Sequence, residues 1–190
     1  VGVGPGEPDC ITQRVLDVLA QADVVLYDYL VHPSVLAHVP KQATVVCVGK
    51  QRGRHSQTQV QINAQMIDYA QQGYCVVRLK GGEPTVFGRG GEEMGALTEA
   101  GIGFELVPGM SSVFGVLERV GIPVTHRDCA RSVAVVSGAS AHQGEWRGRV
   151  PNADTLIAVM AVKNSAQFSA QVLADTDHTS DTPAAIIYKG

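Results

Sequence analysis

The sequence lacks long hydrophobic runs, paired cysteines and an excess of positive charge. Its apolar runs, such as residues 156–159, are far shorter than the roughly 20 residues of a membrane-spanning helix, so we expect no membrane span. Its four cysteines are far apart and form no C-x-x-C pair, which argues against a disulfide framework or a zinc site. A net charge of −3 gives the protein no general attraction for nucleic acid.

Aromatic residues are also few, at 5%, while hydrophobic residues make up 45% and charged residues 17%. This balance is typical of a globular protein, and 190 residues suffice for one ordinary domain or two small ones. No signal peptide is recognisable, which together with the unpaired cysteines favours a reducing, cytoplasmic location. The first residue is Val1, not Met, and the chain ends at Gly190, three positions after the apolar run 184–187, so we expect a fragment of a longer protein.

Strand-like and helix-like segments alternate along the chain, which predicts an α/β fold with largely parallel sheets. A break at Pro108-Gly109 suggests two lobes, residues 1–108 and 109–190. Glycine at positions 73 and 101 is expected to end the preceding helices, and Asn164 to cap the last one. The patterns predict helices over 12–22, 58–72, 92–100, 112–120 and 165–174, and strands over 24–27, 45–48, 76–79, 104–107, 133–136, 155–159 and 184–187.

Two glycine-rich segments are candidates for ligand binding. Gly2-Val3-Gly4-Pro5-Gly6 follows a strand stub, and it suits either a tight turn or a close approach to a ligand. Its spacing departs from G-x-G-x-x-G, which argues against a dinucleotide site. Residues 81–91 hold five glycines directly after a predicted strand and before a predicted helix. Because ligands of open α/β sheets bind at the carboxyl ends of the strands, this second segment predicts a ligand-binding loop.

Asp28 and Lys50 each come just after a predicted buried strand. Parallel strands bring such residues to one edge of the sheet, where a carboxylate and an amine can share proton transfer. The alternative is that both are solvated charges at strand ends.

Several basic residues cluster in an otherwise acidic protein. They predict a small polyanionic ligand, because guanidinium groups bind carboxylates in bidentate fashion, although each one alone also suits a solvated surface. No aromatic residues are interleaved with them, so a nucleic-acid platform is not expected. The set comprises Lys50, Arg52, Arg54, His55, Arg89, His126, Arg127 and Arg131.

The segments VGVGPG, ADVVLYD, VGK, RLKGGEPTVFGRGGEE, VPGMSS and GIPVTHRD, with MAV near position 160, resemble the tetrapyrrole methylase family in this order. The resemblance runs from residue 1 to residue 190. It implies two α/β lobes, with a mostly parallel sheet in the first and a mixed sheet in the second. It further implies a homodimer that uses S-adenosyl-L-methionine, releases S-adenosyl-L-homocysteine and methylates the tetrapyrrole uroporphyrinogen III at C-2 and C-7 to give precorrin-2.

The resemblance also implies a role for individual residues. Asp28 is similar to the family's proton acceptor and Lys50 to its proton donor. The basic residues Arg52, Arg54, His55, Arg89 and Arg127 suit the carboxylate side chains of the substrate. The methyl donor would be held between the lobes by Pro5, Gly81, Gly82, Glu83, Val86, Ser111, Ser112, Met160 and Gly190, and no metal is expected.

Several positions depart from the family pattern. Glu83 stands where Asp is usual, Thr85 where an aromatic residue is usual and Tyr29 where Arg is usual; Glu118 lies in an altered run, and Ala161 replaces a glycine. They leave two alternatives open, another precorrin methyltransferase or a catalytically weakened protein that binds the donor or a tetrapyrrole.

Overall fold

The computed structural model describes residues 1–49, 57–139 and 148–187. The chain divides into two compact units, Val1–Ser112 and Val113–Gly190. The boundary predicted between residues 108 and 109 therefore lies inside the first unit, shortly before the helix that begins at Ser112.

A three-stranded parallel sheet organises the first unit, with strand order β2-β1-β3. Val25 and Leu79 face one hydrophobic layer together with Leu19, whereas Leu26 faces a second layer with Met66. Side chains of a strand alternate between the two faces of the sheet, so helices cover both faces. The elements are α1 (Gln13–Leu19), β1 (Val24–Tyr27), α2 (Pro33–Leu36), β2 (Thr44–Cys47), α3 (Gln59–Gln71), β3 (Val76–Leu79) and α4 (Gly90–Glu99), with a 3₁₀ turn at Pro8–Cys10.

The N-terminal segment extends this sheet beside β3. Lys80 N donates to Val1 O at 2.9 Å, Val3 N donates to Lys80 O at 3.0 Å, and Gly2 N donates to Val107 O at 2.9 Å. The predicted strand over 104–107 does not form. Val107 O accepts one bond from Gly2 N, but residues 104–107 form no ladder with the described residues, and the side chains of Phe104 and Leu106 are exposed.

Local sequence signals account for the helix ends. Thr58 and Gln61 form a capping box at the start of α3. Gly73 and Gly101 follow α3 and α4 with φ angles of +87° and +69°, which confirms them as helix stops. The helix predicted over 12–22 is shorter in the structure. Thr12 is its N-cap, and the helix spans Gln13–Leu19.

The second unit contains α5, two strands and α6. Its strands pair in parallel, so the mixed sheet expected for this lobe is not seen among the described strands. Val136, Val150 and Phe168 form its core. α6 begins as predicted, although Asn164 makes no side-chain capping bond. The elements are α5 (Ser112–Arg119), β4 (Val133–Ser137), β5 (Thr155–Val159), a 3₁₀ turn at Val162–Asn164 and α6 (Ser165–Asp175).

The strand predicted over 184–187 is also wrong. These residues form no ladder with another described segment, and the Ile186 side chain is 74% exposed. An apolar run becomes a strand only where a partner backbone takes up its hydrogen bonds, and none of the described residues does so here.

Candidate functional site

Three glycine-containing segments meet at the carboxyl end of β3. A Cβ atom at Gly2 would lie 2.7 Å from both Gly82 O and Gly109 N, and one at Gly109 would lie 2.5 Å from Gly82 O. Gly4 N donates to Gly82 O at 3.2 Å, and Gly82 N donates to Gly4 O at 2.6 Å. The three backbones therefore approach so closely that a side chain at these positions does not fit.

This convergence brings together the regions of several residues predicted to bind the methyl donor. Pro5 directly follows Gly4 in the first segment. Gly82 has a φ of +69°, and a Cβ there would lie 3.6 Å from Ser112 N. Ser111 precedes Ser112, so the first glycine turn, the glycine loop and the segment before α5 line one region of the first unit.

The loop of Glu83 is closed by its own carboxylate. Thr85 N donates to Glu83 Oε2 at 2.8 Å, Val86 N donates to the same oxygen at 2.7 Å, and Thr85 Oγ1 donates to it at 2.8 Å. Two departures from the family pattern therefore contact each other, because a hydroxyl at position 85 supplies a donor for the longer acid at position 83. The Val86 side chain itself is exposed.

Arg89 ends the glycine loop in a left-handed conformation, with φ of +59°. Its guanidinium binds Glu92 through two hydrogen bonds, Nε to Oε1 at 2.8 Å and Nη2 to Oε2 at 2.7 Å. This hydrogen bonding raises the pKa of Arg89 and lowers that of Glu92, so both stay charged near neutral pH. Arg89 is exposed and paired, so its predicted role in binding substrate stays a prediction.

Asp28 lies at the same edge, just beyond β1. A Cβ at Gly49 would lie 2.3 Å from Tyr29 N and 3.0 Å from Asp28 C, and one at Gly81 would lie 3.0 Å from Leu30 Cβ. The segment 28–30 thus runs between the ends of β2 and β3. Lys50 itself lies outside the described residues, so its predicted pairing with Asp28 stays a prediction.

The Asp28 carboxylate joins a charge network that the sequence did not predict. Arg78 Nη2 donates to Asp28 Oδ1 at 2.6 Å, and Arg78 Nε donates to Glu93 Oε1 at 3.1 Å. Lys80 Nζ donates to Glu93 Oε1 at 3.0 Å and lies 3.9 Å from Asp28 Oδ2. Two cations and two anions balance, as buried charges require.

A signal for this network was present in the sequence. Arg78 lies on the buried strand β3, and Lys80 follows directly after the strand ends, where it is bridged to Gly2. Residues two positions apart in extended backbone share one face, and apolar residues are usual on a buried face. Their partner Glu93 lies in the first turn of α4, after the glycine loop. A charge on a buried strand and another directly after it indicate that carboxylates lie nearby, because buried charges need partners. The sequence does not show which carboxylates these are.

Two other predicted site residues, Met160 and Arg127, belong to the second unit. Met160 follows β5 in the second unit with φ of +58° and is 56% exposed. Arg127 is exposed in the same unit. The remaining predicted residues lie outside the described part of the chain: Lys50, Arg52, Arg54, His55 and Gly190.

Two further features bear on the class of site. Within residues 1–49, 57–139 and 148–187, no group of three or more His, Cys, Asp or Glu side chains is placed to hold a metal ion. Over the same ranges, no helix combines the length and apolar character needed to cross a membrane.

The first unit is thus a parallel α/β unit with glycine-rich segments and an aspartate at the carboxyl ends of its strands. The family model for Tetrapyrrole (Corrin/Porphyrin) Methylases matches residues 1–190. The chain therefore belongs to the tetrapyrrole methylase family. This confirms the family predicted from the sequence and the α/β fold class. It also confirms the predicted class of enzyme, a methyltransferase that uses S-adenosyl-L-methionine.

Curated relatives include siroheme synthases. The chain is 44% identical over 190 residues to siroheme synthase of Zymomonas mobilis, covering 98% of this chain and 40% of the relative. It is 45% identical over 193 residues to siroheme synthase 1 of Yersinia enterocolitica, covering 100% of this chain and 41% of the relative. The chain thus spans about two fifths of the length of these relatives.

Solved structures of uroporphyrin-III C-methyltransferase from Thermus thermophilus are also similar. One is 45% identical with a TM-score of 0.73, covering 88% of this chain and 69% of that protein. A second, complexed with S-adenosyl homocysteine, is 37% identical with a TM-score of 0.77, covering 92% and 70%. A cobalt precorrin-4 methyltransferase is 33% identical with a TM-score of 0.64, covering 74% and 57%.

Proposed function

We propose that this chain is the methyltransferase part of an enzyme that methylates uroporphyrinogen III at C-2 and C-7, giving precorrin-2 for sirohaem and cobalamin synthesis. Its similarity to siroheme synthases and to uroporphyrin-III C-methyltransferase supports this substrate. The observation that carries the proposal is that Leu30, two residues after Asp28, packs against Gly81, the first glycine of the loop, at the edge where three glycine segments meet.

S-adenosyl-L-methionine supplies an electrophilic methyl group on sulfur, and the similar structure that contains S-adenosyl homocysteine supports it as the donor. The residues that would hold it in the first unit are Pro5, Gly81, Gly82, Glu83, Val86, Ser111 and Ser112. The fit is supported by the close backbone packing of Gly2 and Gly109 on Gly82, which tolerates no side chain at Gly2 or Gly109 and brings the predicted donor segments together. Met160 and Gly190 stay predictions for the same site.

Asp28 would act as the base. In each transfer the electron pair of a pyrrole carbon forms the new carbon–carbon bond, and the sulfur keeps the electron pair of the bond that breaks. The methylated ring then carries one extra positive charge, and it becomes neutral when a proton passes to the Asp28 carboxylate. Asp28 suits this step because its carboxylate pairs with Arg78 yet keeps 27% of its side chain exposed.

The substrate carries several carboxylates, which Arg89 and Arg127 would bind together with Arg52, Arg54 and His55. Lys50 would return a proton where one is needed. The resemblance also implies a homodimer, which sedimentation velocity of the purified protein tests: we expect a single species at twice the chain mass.

The decisive experiment is to incubate the purified protein with uroporphyrinogen III and S-adenosyl-L-methionine carrying ¹³C in its methyl group. Carbon NMR and mass spectrometry of the product should show two labelled methyl groups, at C-2 and C-7. Asp28→Asn serves as the inactive comparison. Labelling at another position of a different tetrapyrrole would indicate a related precorrin methyltransferase, which the likeness to the cobalt precorrin-4 enzyme favours as second candidate.

A protein that binds the donor without turnover is the other outcome to be distinguished. It would bind S-adenosyl-L-homocysteine in the same preparation but release no methylated product from any tetrapyrrole offered. That result would contradict the proposed activity and leave donor binding as the function of the glycine segments.

A further inference from the structure

Arg78 binds two carboxylates and one carbonyl through its three guanidinium nitrogens. Nη2 donates to Asp28 Oδ1, Nε donates to Glu93 Oε1, and Nη1 donates to Leu79 O at 3.0 Å. Because a guanidinium is planar and each of its nitrogens has an acceptor, its plane is fixed in the structure. The 2.6 Å bond to Asp28 therefore restricts the carboxylate to one orientation.

Glu93 anchors the other end of this arrangement. Its Oε1 also accepts from Lys80 Nζ at 3.0 Å and from Gln59 Nε2 at 3.1 Å, so α3, α4 and β3 all contribute to holding it. The side chains of Arg78, Lys80 and Glu93 are 10%, 6% and 7% exposed, whereas that of Asp28 is 27% exposed. Of these four side chains, Asp28 is the one that reaches toward solvent.

We infer that Arg78 is a positioning residue, which holds the Asp28 carboxylate in the orientation that accepts the substrate's proton, and that Glu93 and Lys80 hold Arg78. The inference rests on the role proposed above for Asp28. A salt bridge serving stability alone gains little from burial, since desolvation offsets its attraction. A buried pair that fixes the direction of one partly exposed carboxylate has instead a geometric use.

A double-mutant cycle tests this role. Arg78→Gln should lower kcat about 100-fold, comparable to losing a general base, and change the KM for the methyl donor by less than about threefold. In an Asp28→Asn background the same substitution should lower the residual kcat by no more than about threefold, because there is no longer a base to position. Equal losses in both backgrounds would overturn the inference, since a purely structural role acts independently of Asp28.

Two further variants sharpen the cycle. Arg78→Lys should recover only part of the activity, because an ammonium group lacks the planar fork that spans two carboxylates. Full recovery would show that charge alone is needed and would count against positioning. Arg14→Gln is the matched control: Arg14 also binds a carboxylate through two nitrogens, at Glu105, but that pair is exposed, so kcat should not change.

Arg78→Gln removes the cation that pairs with Asp28 and Glu93, so this variant can fail to fold. Glu93→Gln keeps the shape of the side chain and is the milder variant. It should fold and lower kcat about tenfold while Asp28 is present. If the unaltered protein transfers no methyl group, the proposed function fails and with it the proton-accepting role of Asp28. Crystallography then decides the remaining part of the inference, that Glu93 and Arg78 fix the orientation of the Asp28 carboxylate. A displaced Asp28 carboxylate in Glu93→Gln crystals supports it, and an unmoved carboxylate overturns it.

Discussion

Gly4 and Gly82 exchange two backbone hydrogen bonds, from Gly4 N to Gly82 O and from Gly82 N to Gly4 O. This exchange joins the first glycine turn to the glycine loop after β3, although the two lie far apart in the sequence. Gly109 packs against Gly82 and Gly2, since its Cβ position lies 2.5 Å from Gly82 O and from Gly2 C. The region proposed to hold the donor is therefore built by backbone contacts and depends on the absence of side chains.

Gly109→Ala should destabilise the protein, because the added methyl group overlaps the backbone of Gly2 and Gly82. We expect a loss of about 1–3 kcal/mol in the free energy of unfolding, typical of overpacking, measured by urea denaturation. Gly95→Ala is the control: Gly95 lies in α4 with open space around its Cβ position, so it should gain about 0.5–1 kcal/mol. A neutral Gly109→Ala would contradict the close approach of the three segments.

Asp28→Asn should lower kcat by about 10²–10⁴ while leaving the affinity for S-adenosyl-L-homocysteine unchanged, because an amide cannot take up a proton as a carboxylate does. Steady-state kinetics and calorimetric titration measure the two quantities. Asp17→Asn on the exposed face of α1 should change neither. If Asp28→Asn weakened donor binding as much as turnover, Asp28 would be a binding residue.

Thr85→Val should weaken binding of S-adenosyl-L-homocysteine by about fivefold, the effect of losing one hydrogen bond of about 1 kcal/mol. The change keeps the shape of the side chain but removes the hydroxyl that donates to Glu83, so the loop that carries Gly82 and Val86 is less well held. Thr98→Val, which removes an exposed hydroxyl bonded to Met94 O in α4, should leave the affinity unchanged. Equal affinity in both variants would show that the Glu83 contact does not shape the donor site.

Asp154 makes the stability of the second unit depend on pH. Hydrogen bonds from the Ser132 hydroxyl and from the backbone amides of Arg131 and Ser132 lower the pKa of this carboxyl. A lowered folded-state pKa adds stability above the usual pKa of Asp, and that stability is lost as pH falls through the lowered value. Asp154→Asn should therefore lower Tm at neutral pH, with a difference that shrinks in acid.

Ser132→Ala separates the contributions to that effect. It removes the largest cause of the shift but keeps both amide donors, so the loss of stability should begin at a higher pH than in the unaltered protein. Melting curves recorded across the acidic range measure this. A Tm difference for Asp154→Asn that stays constant down to strongly acidic pH would show that ionisation of Asp154 is not involved.

Local signals predicted most of the framework. The strands over 24–27, 76–79 and 155–159 form as expected, because each is a compact apolar run whose neighbours supply hydrogen-bond partners. Gly73 and Gly101 end their helices because both adopt positive φ angles that glycine tolerates. The predicted strands 104–107 and 184–187 fail for one shared reason: strand formation depends on a partner segment, which the pattern of a single run does not reveal.

The same limit applies to the candidate site. Strands that alternate with helices predict a parallel sheet, and Asp28 directly follows a strand. Its position at the carboxyl edge of the sheet could therefore be predicted. Its bond to Arg78 depends on the register that places Leu26 opposite Arg78, and the anchor at Glu93 depends on how α4 packs. The contact between Glu83 and Thr85 is local in the sequence. The sequence does not predict it, because two separate departures from the family pattern do not indicate that the two side chains form a hydrogen bond.

The central claim is that the converging glycine segments hold the methyl donor. Calorimetric titration of the purified protein with S-adenosyl-L-homocysteine, with melting temperature recorded alongside, tests it directly. We predict saturable binding at one site per chain and a stabilisation of about 2.7 kcal/mol when the free ligand is at 100 times its Kd. Absence of both binding heat and a rise in melting temperature at millimolar ligand would contradict the account.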